Sequence, residues 1–407
     1  MTTYPIRRNL VLLSASLTCL SGMLQLTAAV ATVTLVLVTH VEGILGLGPA
    51  ILLSCGAAAA LPAGRAMDRH GRIPVLAGGF VAGIAGCSLT ALGARLENAS
   101  LVLLGFAAVG LGMGTVLLVR TAAADMVSPE RRPRAISLVL FGAVFGAILG
   151  PFVFGPLFAG EHLEADALVL PWLAAAGFML VGLVLVLAVR PDPRSIAAEL
   201  YPPAATDASD GTATLRELLR RPGVPAALAA AIASFAVMVA VMNLTGYVMI
   251  GHGHHQSDVF PVISAHIVGM YGLVPVVGDL IARIGRRQAL VGGLLVMGVS
   301  TLSLAWVESV VGTGVALGGL GLGWCFSYVA ATAELVDAAA PAERGRLVGF
   351  GDLASGFSGA ALCLAGGVAY DGGGAATIAV GGAAAVTLPA LWLAVTTRRP
   401  AEAPKPA

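Results

Sequence analysis

Long apolar runs separated by short polar segments recur along the whole chain. Crossing roughly 30 Å of hydrocarbon takes about 20 consecutive apolar residues in a helix. Twelve runs qualify, near 9–38, 44–66, 73–95, 99–125, 134–159, 167–189, 223–250, 259–282, 288–307, 309–335, 347–370 and 375–396. The pattern predicts an all-α membrane protein of twelve transmembrane helices. The first run follows Arg7 and Arg8 as a signal peptide would, but its apolar length, Asn9 to about Leu37, exceeds a signal core of about 7–15 residues, so it reads as a helix. One long polar stretch interrupts the series, residues 190–222, rich in Pro, Asp, Ser and Thr, with a short amphipathic helix expected around Leu215–Leu219. Six spans precede it and six follow. The expected organisation is an N-terminal six-helix bundle (1–189), a cytoplasmic linker (190–222), a C-terminal six-helix bundle (223–397) and a cytoplasmic tail (398–407).

Composition agrees. Of 407 residues 57% are hydrophobic and 11% charged, against about 25% charged in soluble domains, and mean hydropathy is +0.91. A soluble enzyme or secreted scaffold is excluded. The net charge of +1 leaves no case for nucleic-acid binding. Five cysteines in apolar stretches make no disulfide framework and no zinc motif. There is no phosphate-binding loop or nucleophile–base constellation, so no enzymatic activity and no cofactor are expected.

Charge position fixes an expected orientation. With the N-terminus inside, 21 of the 23 basic residues fall in inner segments; Arg95 and Arg120 are the exceptions. That asymmetry places both termini in the cytoplasm of a multi-pass protein in the cytoplasmic membrane, its partners lipid and a small-molecule or metal-ion substrate, and a monomer is expected.

The halves repeat. After span 2 comes Gly64-Arg-Ala-Met-Asp68-Arg69-His-Gly71-Arg72, and after span 8 Gly278-Asp-Leu-Ile-Ala282-Arg283-Ile-Gly285-Arg286, with equal Gly-to-Gly and Gly-to-Arg spacings. Glu130-Arg131 after span 4 recurs as Glu343-Arg344 after span 10. Parallel six-helix repeats joined by a loop form a transporter plan. The first string resembles the G-x-x-x-D-[RK]-x-G-[RK]-[RK] signature of the major facilitator superfamily, missing only the last basic residue, Ile73; the second departs where Ala282 replaces the aspartate. The resemblance implies two six-helix bundles rocking about a central cavity.

Physically, Gly64 would let helices approach and Gly71 would permit a tight turn. Asp68 at the membrane edge could accept hydrogen bonds from a helix N-terminus; by the resemblance, that partner is the start of span 11, near Gly349 to Asp352. Asp125, ending span 4, is placed to hold Arg69 or Arg72. Gly64, Asp68, Arg69, Gly71, Arg72 and Asp125 thus form a candidate conformational latch. Arg120, inside span 4, should either snorkel or pair with an acid at its level. Gly146-x-x-x-Gly150-Pro151-x-x-x-Gly155 in span 5 is similar to a helix-5 signature associated with antiporters; small residues there permit close packing and Pro151 should kink the helix.

Intramembrane ionisable groups mark function by default. Asp68, Asp125, Asp279, Glu334, Asp337 and Asp352 are all expected towards cytoplasmic ends, which counts against efflux of cationic drugs. The interior instead offers sulfur and an imidazole. Met238 and Met242 are the only Met-x-x-x-Met pair and His266 with Met270 the only His-x-x-x-Met. Each pair shares a helix face, and the pairs lie at matching distances from the turn between spans 7 and 8. Thioether and imidazole ligands suit a soft ion, above all Cu(I). The alternative is ordinary packing, with His266 hydrogen-bonded to a carbonyl. The two motifs resemble those of the CcoA-type copper importers of the major facilitator superfamily, a group with related branches associated with riboflavin. His252, His254 and His255 in the outer loop, with Asp258, could collect metal. The expected function is secondary active transport by alternating access, with copper import favoured and transport of a drug-like or riboflavin-like organic molecule as the alternative.

Orientation is directly testable. A cysteine introduced at Gly253 should react with an impermeant maleimide added outside cells, and one at Ser209 should not; the reverse pattern would invert the topology.

Overall fold

The computed structural model describes residues 4–41, 44–128, 131–158, 165–200, 214–338 and 341–396, apart from the side chains of Asp68, 132–133, 336–337, 341–346 and Thr396. Fifteen α-helices and no strand occur among them. The first half comprises α1 (Ile6–Thr39), α2 (Leu47–His70), α3 (Arg72–Arg95), α4 (Ala99–Val116), α5 (Val119–Asp125), α6 (Arg132–Phe154) and α7 (Val169–Leu187). Two short helices, α8 (Pro193–Leu200) and α9 (Leu215–Leu218), follow. The second half comprises α10 (Val224–Gly251), α11 (Gln256–Tyr271), α12 (Val274–Ile284), α13 (Arg286–Ser303), α14 (Val310–Asp337) and α15 (Pro341–Thr396).

Nine described helices are long and apolar enough to cross a membrane, and α11 with α12, bent by 52°, makes a tenth span. The 56-residue α15 breaks at Gly374, with φ 68° and ψ −164°, into two spans. The 18-residue α13, whose first turn carries Arg286 and Arg287, completes the twelve. Two spans expected to be continuous are broken. Span 4 parts into α4 and α5 at Leu117–Leu118, immediately before Arg120. Span 8 parts at Gly272–Leu273, because Pro275 at the start of α12 cannot donate back to α11.

The same helix pairings occur in both halves. α3 packs on α4 as α13 does on α14, α1 on α6 as α10 does on α15, and α2 on α4 as α11 does on α14. Consecutive α1 and α2 touch only lightly, and so do α10 and α11. The halves meet through α2 with α15, α6 with α11, and α1 with α10.

The basic face is the one that carries the α2–α3 and α12–α13 turns. Contacts between the halves concentrate towards the opposite face. There Phe260 of α11 lies 5.7 Å from Phe154 and 5.5 Å from Phe158, centroid to centroid. Gln256 Nε2 donates to the Ala29 carbonyl at 3.1 Å, and Thr32 Oγ1 to the Asn243 carbonyl at 3.4 Å. Gly46 fits so closely that a Cβ there would lie 2.0 Å from the Cys363 carbonyl.

The seam between α1 and α6 shows how such helices hold together. Lipid is as apolar as leucine, so backbone approach and hydroxyl–carbonyl bonds select partners. Thr18 Oγ1 donates to Gly142 O at 2.8 Å and Ser21 Oγ to Ala143 O at 2.7 Å. A Cβ at Gly146 would sit 2.4 Å from the Thr18 carbonyl.

The described residues of the expected linker hold two short helices. α9 lies where an amphipathic helix was predicted, with a Thr214–Glu217 capping box. The unpredicted α8 buries Ile196 completely and packs on α5 and α3.

Replacing Gly146 by Val should lower stability by about 1–3 kcal/mol, because the colliding atom is backbone. Gly64→Ala should change it by less than about 0.5 kcal/mol, since no described neighbour lies within 4 Å of that site. Thermal unfolding of both variants in detergent checks the contrast.

Candidate functional site

At the basic face Gly71 takes φ +96° and joins α2 to α3 in a tight turn, as its counterpart Gly285 does with φ +92°. Arg72 Nε donates to Asp125 Oδ2 at 2.6 Å, so of the two arginines offered to Asp125 it is Arg72 that pairs. Arg286 and Glu334 form the equivalent, looser pair at 3.7 Å. Arg69 is exposed, and its carbonyl accepts from Arg194 Nη1 at 2.9 Å. Asp68 lies in α2, and its side chain is outside the described residues; so are Pro129 and Glu130 of the Glu-Arg repeat.

One part of the expected latch differs from the structure. The site of a Cβ at Gly64 has nothing described within 4 Å, so Gly64 mediates no close approach here. A capping carboxylate not expected at this face is Asp192, which accepts from the Arg72 and Ile73 amides at 3.1 and 2.9 Å. It caps the N-terminus of α3, and sequence reading missed it because it lies 120 residues further on.

In α6, Gly146 and Gly150 both close on α1, Gly150 against the Gln25 side chain, while Gly155 meets nothing described within 4 Å. Pro151 sits inside the helix and lacks the N–H that would bond the Ala147 carbonyl. That carbonyl instead accepts from Gln25 Nε2 at 3.0 Å and from Ser264 Oγ of α11 at 2.6 Å. A freed backbone acceptor thus joins α1, α6 and α11 across the halves.

The soft-metal set is divided between α10, which carries Met238 and Met242, and α11, which carries His266 and Met270. His266 is fully buried against α14, its Nδ1 bonded to the Leu317 carbonyl at 2.8 Å. Its Nε2 has no hydrogen-bond partner, sulfur included, among the described residues. Met238 and Met270 are buried and Met242 half-buried. The equal-depth argument assumed that spans 7 and 8 lie side by side. They meet only lightly: α10 packs chiefly on α15, α14 and α1, and α11 on α14 and α6, and α14 is the neighbour they share.

The outer histidines disperse too. His252 caps the end of α10, His254 Nε2 meets the Glu308 carbonyl, and His255 forms a capping box with Asp258 at the start of α11. Among the described residues no three His, Cys, Asp or Glu side chains are placed to hold a metal.

A different cluster does assemble between the halves. Arg120 Nη2 of α5 donates to Asp352 Oδ2 of α15 at 2.9 Å. Tyr328 of α14 donates its hydroxyl to Asp352 Oδ1 at 2.6 Å. Asp352 lies 11 residues inside α15 (352 − 341), about 16 Å at 1.5 Å per residue. Arg120 pairs with an acid at its level, Asp352. Around the ion pair runs a row of rings. Trp324 and Tyr328 stack with centroids 4.9 Å apart and planes at 15°. Tyr271 of α11 meets Trp324 edge-on at 6.0 Å, and Phe235 of α10 lies 6.2 Å from Tyr328. Sequence reading missed these rings. The available signal was Trp324-x-x-x-Tyr328, an i,i+4 aromatic pair in a chain only 6% aromatic.

Comparison with known proteins accords with this architecture. The profile described as Major Facilitator Superfamily matches residues 9–361. The chain is 30% identical over 333 residues to the uncharacterized MFS-type transporter YddS of Bacillus subtilis (strain 168), covering 79% of this chain and 75% of that one. It is 29% identical over 316 residues to the riboflavin transporter RfnT of Brucella anthropi, covering 75% and 74%. The inward open conformation of the xylose transporter XylE from E. coli shares the fold, with a TM-score of 0.73 over 96% of this chain and 97% of that one at 15% identity. With the matched profile spanning most of the chain, and with twelve spans in two equivalent sets of six, this protein belongs to the major facilitator superfamily of membrane transporters.

Proposed function

We propose that this protein is a secondary active transporter that moves a small organic solute across the cytoplasmic membrane by alternating access, acting as a monomer with its basic face in the cytoplasm. The observation that carries this reading is the Arg120–Asp352 pair with its aromatic row. It is built from both halves, so rocking of one against the other changes it. The packing at Phe154, Phe158, Phe260 and Gly46 on the opposite face supports a state open towards the basic face. The Arg72–Asp125 pair supports a latch role for the α2–α3 turn, which it ties to the end of α5. The similarity to a riboflavin transporter favours an organic cargo over copper, as does the light contact between α10 and α11, the helices that carry the two pairs.

Uptake of radiolabelled riboflavin and of copper by cells with and without the protein tests this directly. Riboflavin accumulation should depend on the protein and copper content should not. The Met238→Leu, Met270→Leu double variant should retain riboflavin flux. Asp352→Asn, which leaves Arg120 without its counter-charge, should reduce that flux by roughly tenfold or more. Protein-dependent copper uptake abolished by the double variant would overturn the reading and restore the soft-metal site.

A further inference from the structure

The cluster between the halves has three properties that together select a ligand. The first is charge. Its ionic groups are one guanidinium and one carboxylate, bonded to each other at 2.9 Å. An entering cation or anion would leave one of them opposed by a like charge, whereas a neutral ligand disturbs neither. The second is shape. Phe235, Tyr328, Trp324 and Tyr271, from three helices, form a continuous row of rings, with the central two nearly parallel. Such faces favour a flat conjugated partner in offset-stacked or edge-to-face contact. The third is hydrogen-bonding character. Trp324 Nε1 is a buried donor without a partner among the described residues, and Ser355 Oγ, one turn beyond Asp352, is buried and equally unpartnered. Arg120 contributes further N–H groups and Asp352 further lone pairs. Donors and acceptors therefore stand together, and the side chains of Arg120 and Asp352 remain 37% and 30% exposed, so the pair can be reached.

Resting on the proposal of an organic cargo, we infer that Arg120, Asp352, Tyr328 and Trp324, flanked by Phe235 and Tyr271, form the solute-recognition site. Its ligand class is a neutral, flat, conjugated heterocycle with a cyclic amide or imide edge. The carbonyls of that edge accept from the guanidinium and the indole N–H, and its N–H donates to Asp352. The rings stack on the aromatic row. A soft metal cation or an organic anion finds no matching set here.

Lumichrome, a neutral tricyclic imide with its own fluorescence, is the probe. Its emission anisotropy is titrated with purified full-length protein in detergent. Binding should be saturable. It should weaken about tenfold in Trp324→Phe, which keeps a ring but loses the N–H, and comparably in Asp352→Asn, as loss of one hydrogen bond at a charged or buried site predicts. Trp306→Phe, at an exposed position remote from the cluster, should bind as the parent does. Flavin mononucleotide, which is riboflavin bearing a phosphate, and tetraphenylphosphonium, an aromatic cation, should each displace lumichrome at least tenfold less well than riboflavin does. If Trp324→Phe fails to fold, Tyr328→Phe carries the test, because it deletes only the hydroxyl held by Asp352. Equal displacement by the charged competitors would overturn the ligand class. Unchanged lumichrome affinity in the site variants, with riboflavin flux intact, would overturn the site and leave the transporter reading standing. Lumichrome binding that follows the site variants, with no organic flux in cells, would support the site and overturn the transporter reading.

Discussion

Helices surrounded by hydrocarbon gain little from hiding apolar surface from one another, so what selects their neighbours is how closely two backbones can come. The structure rests on that constraint. Ser14, Thr18 and Ser21 hydrogen-bond successive carbonyls of α6 while Gly142 and Gly146 admit the α1 backbone. Gly293 and Gly323 do the same for α13 and α14, each lying where a Cβ would come 2.6 Å from the other's carbonyl. The contact between the halves at Gly46 and Cys363 is of the same kind. A chain with 53 glycines is therefore specified by where backbone is laid bare as much as by where it is apolar.

This explains which features were legible beforehand. Hydropathy reports length in a membrane, and it located all twelve spans. Repeated glycine turns reported the two-fold organisation, and Gly71 and Gly285 do hold the left-handed turns their spacing implied. The cost of a buried guanidinium required a resolution for Arg120, and Asp352 supplies it. Lateral neighbourhood was not legible. The Met238–Met242 and His266–Met270 pairs were set side by side because their spans are consecutive and antiparallel, yet α10 and α11 barely touch. Asp352 and Trp324 were overlooked for a related reason. Their chemistry emerges only when α5, α14 and α15 converge, and no local pattern encodes that convergence.

The repeat is unequal in firmness. In the first half the Arg72–Asp125 pair is mostly shielded, and Asp192 ties the start of α3 to the segment before α8. In the second half Ala282 stands where the aspartate would be, and the Arg286–Glu334 pair is longer and more exposed. The five helices that contribute rings or charge to the Arg120–Asp352 cluster include four from the second half. The firmer half contributes Arg120 alone, placed directly after the break in span 4.

The carbonyl of Ala147 has a consequence of its own. Pro151 removes its helical donor, and the two replacements come from opposite sides of the molecule, Gln25 from the first half and Ser264 from the second. Ser264 Oγ also lies 2.8 Å from the carbonyl of Phe260, one turn back in its own helix. When α11 moves away, Gln25 continues to serve Ala147, and the Ser264 hydroxyl rotates onto Phe260. The bond lost is the one from Gln25 Nε2 to Ser264 Oγ, 3.0 Å long. A contact that would ordinarily resist separation by the desolvation of an orphaned acceptor becomes one in which the Ala147 carbonyl keeps a donor whether the seam is closed or open, and a moving interface in a membrane requires that reversibility.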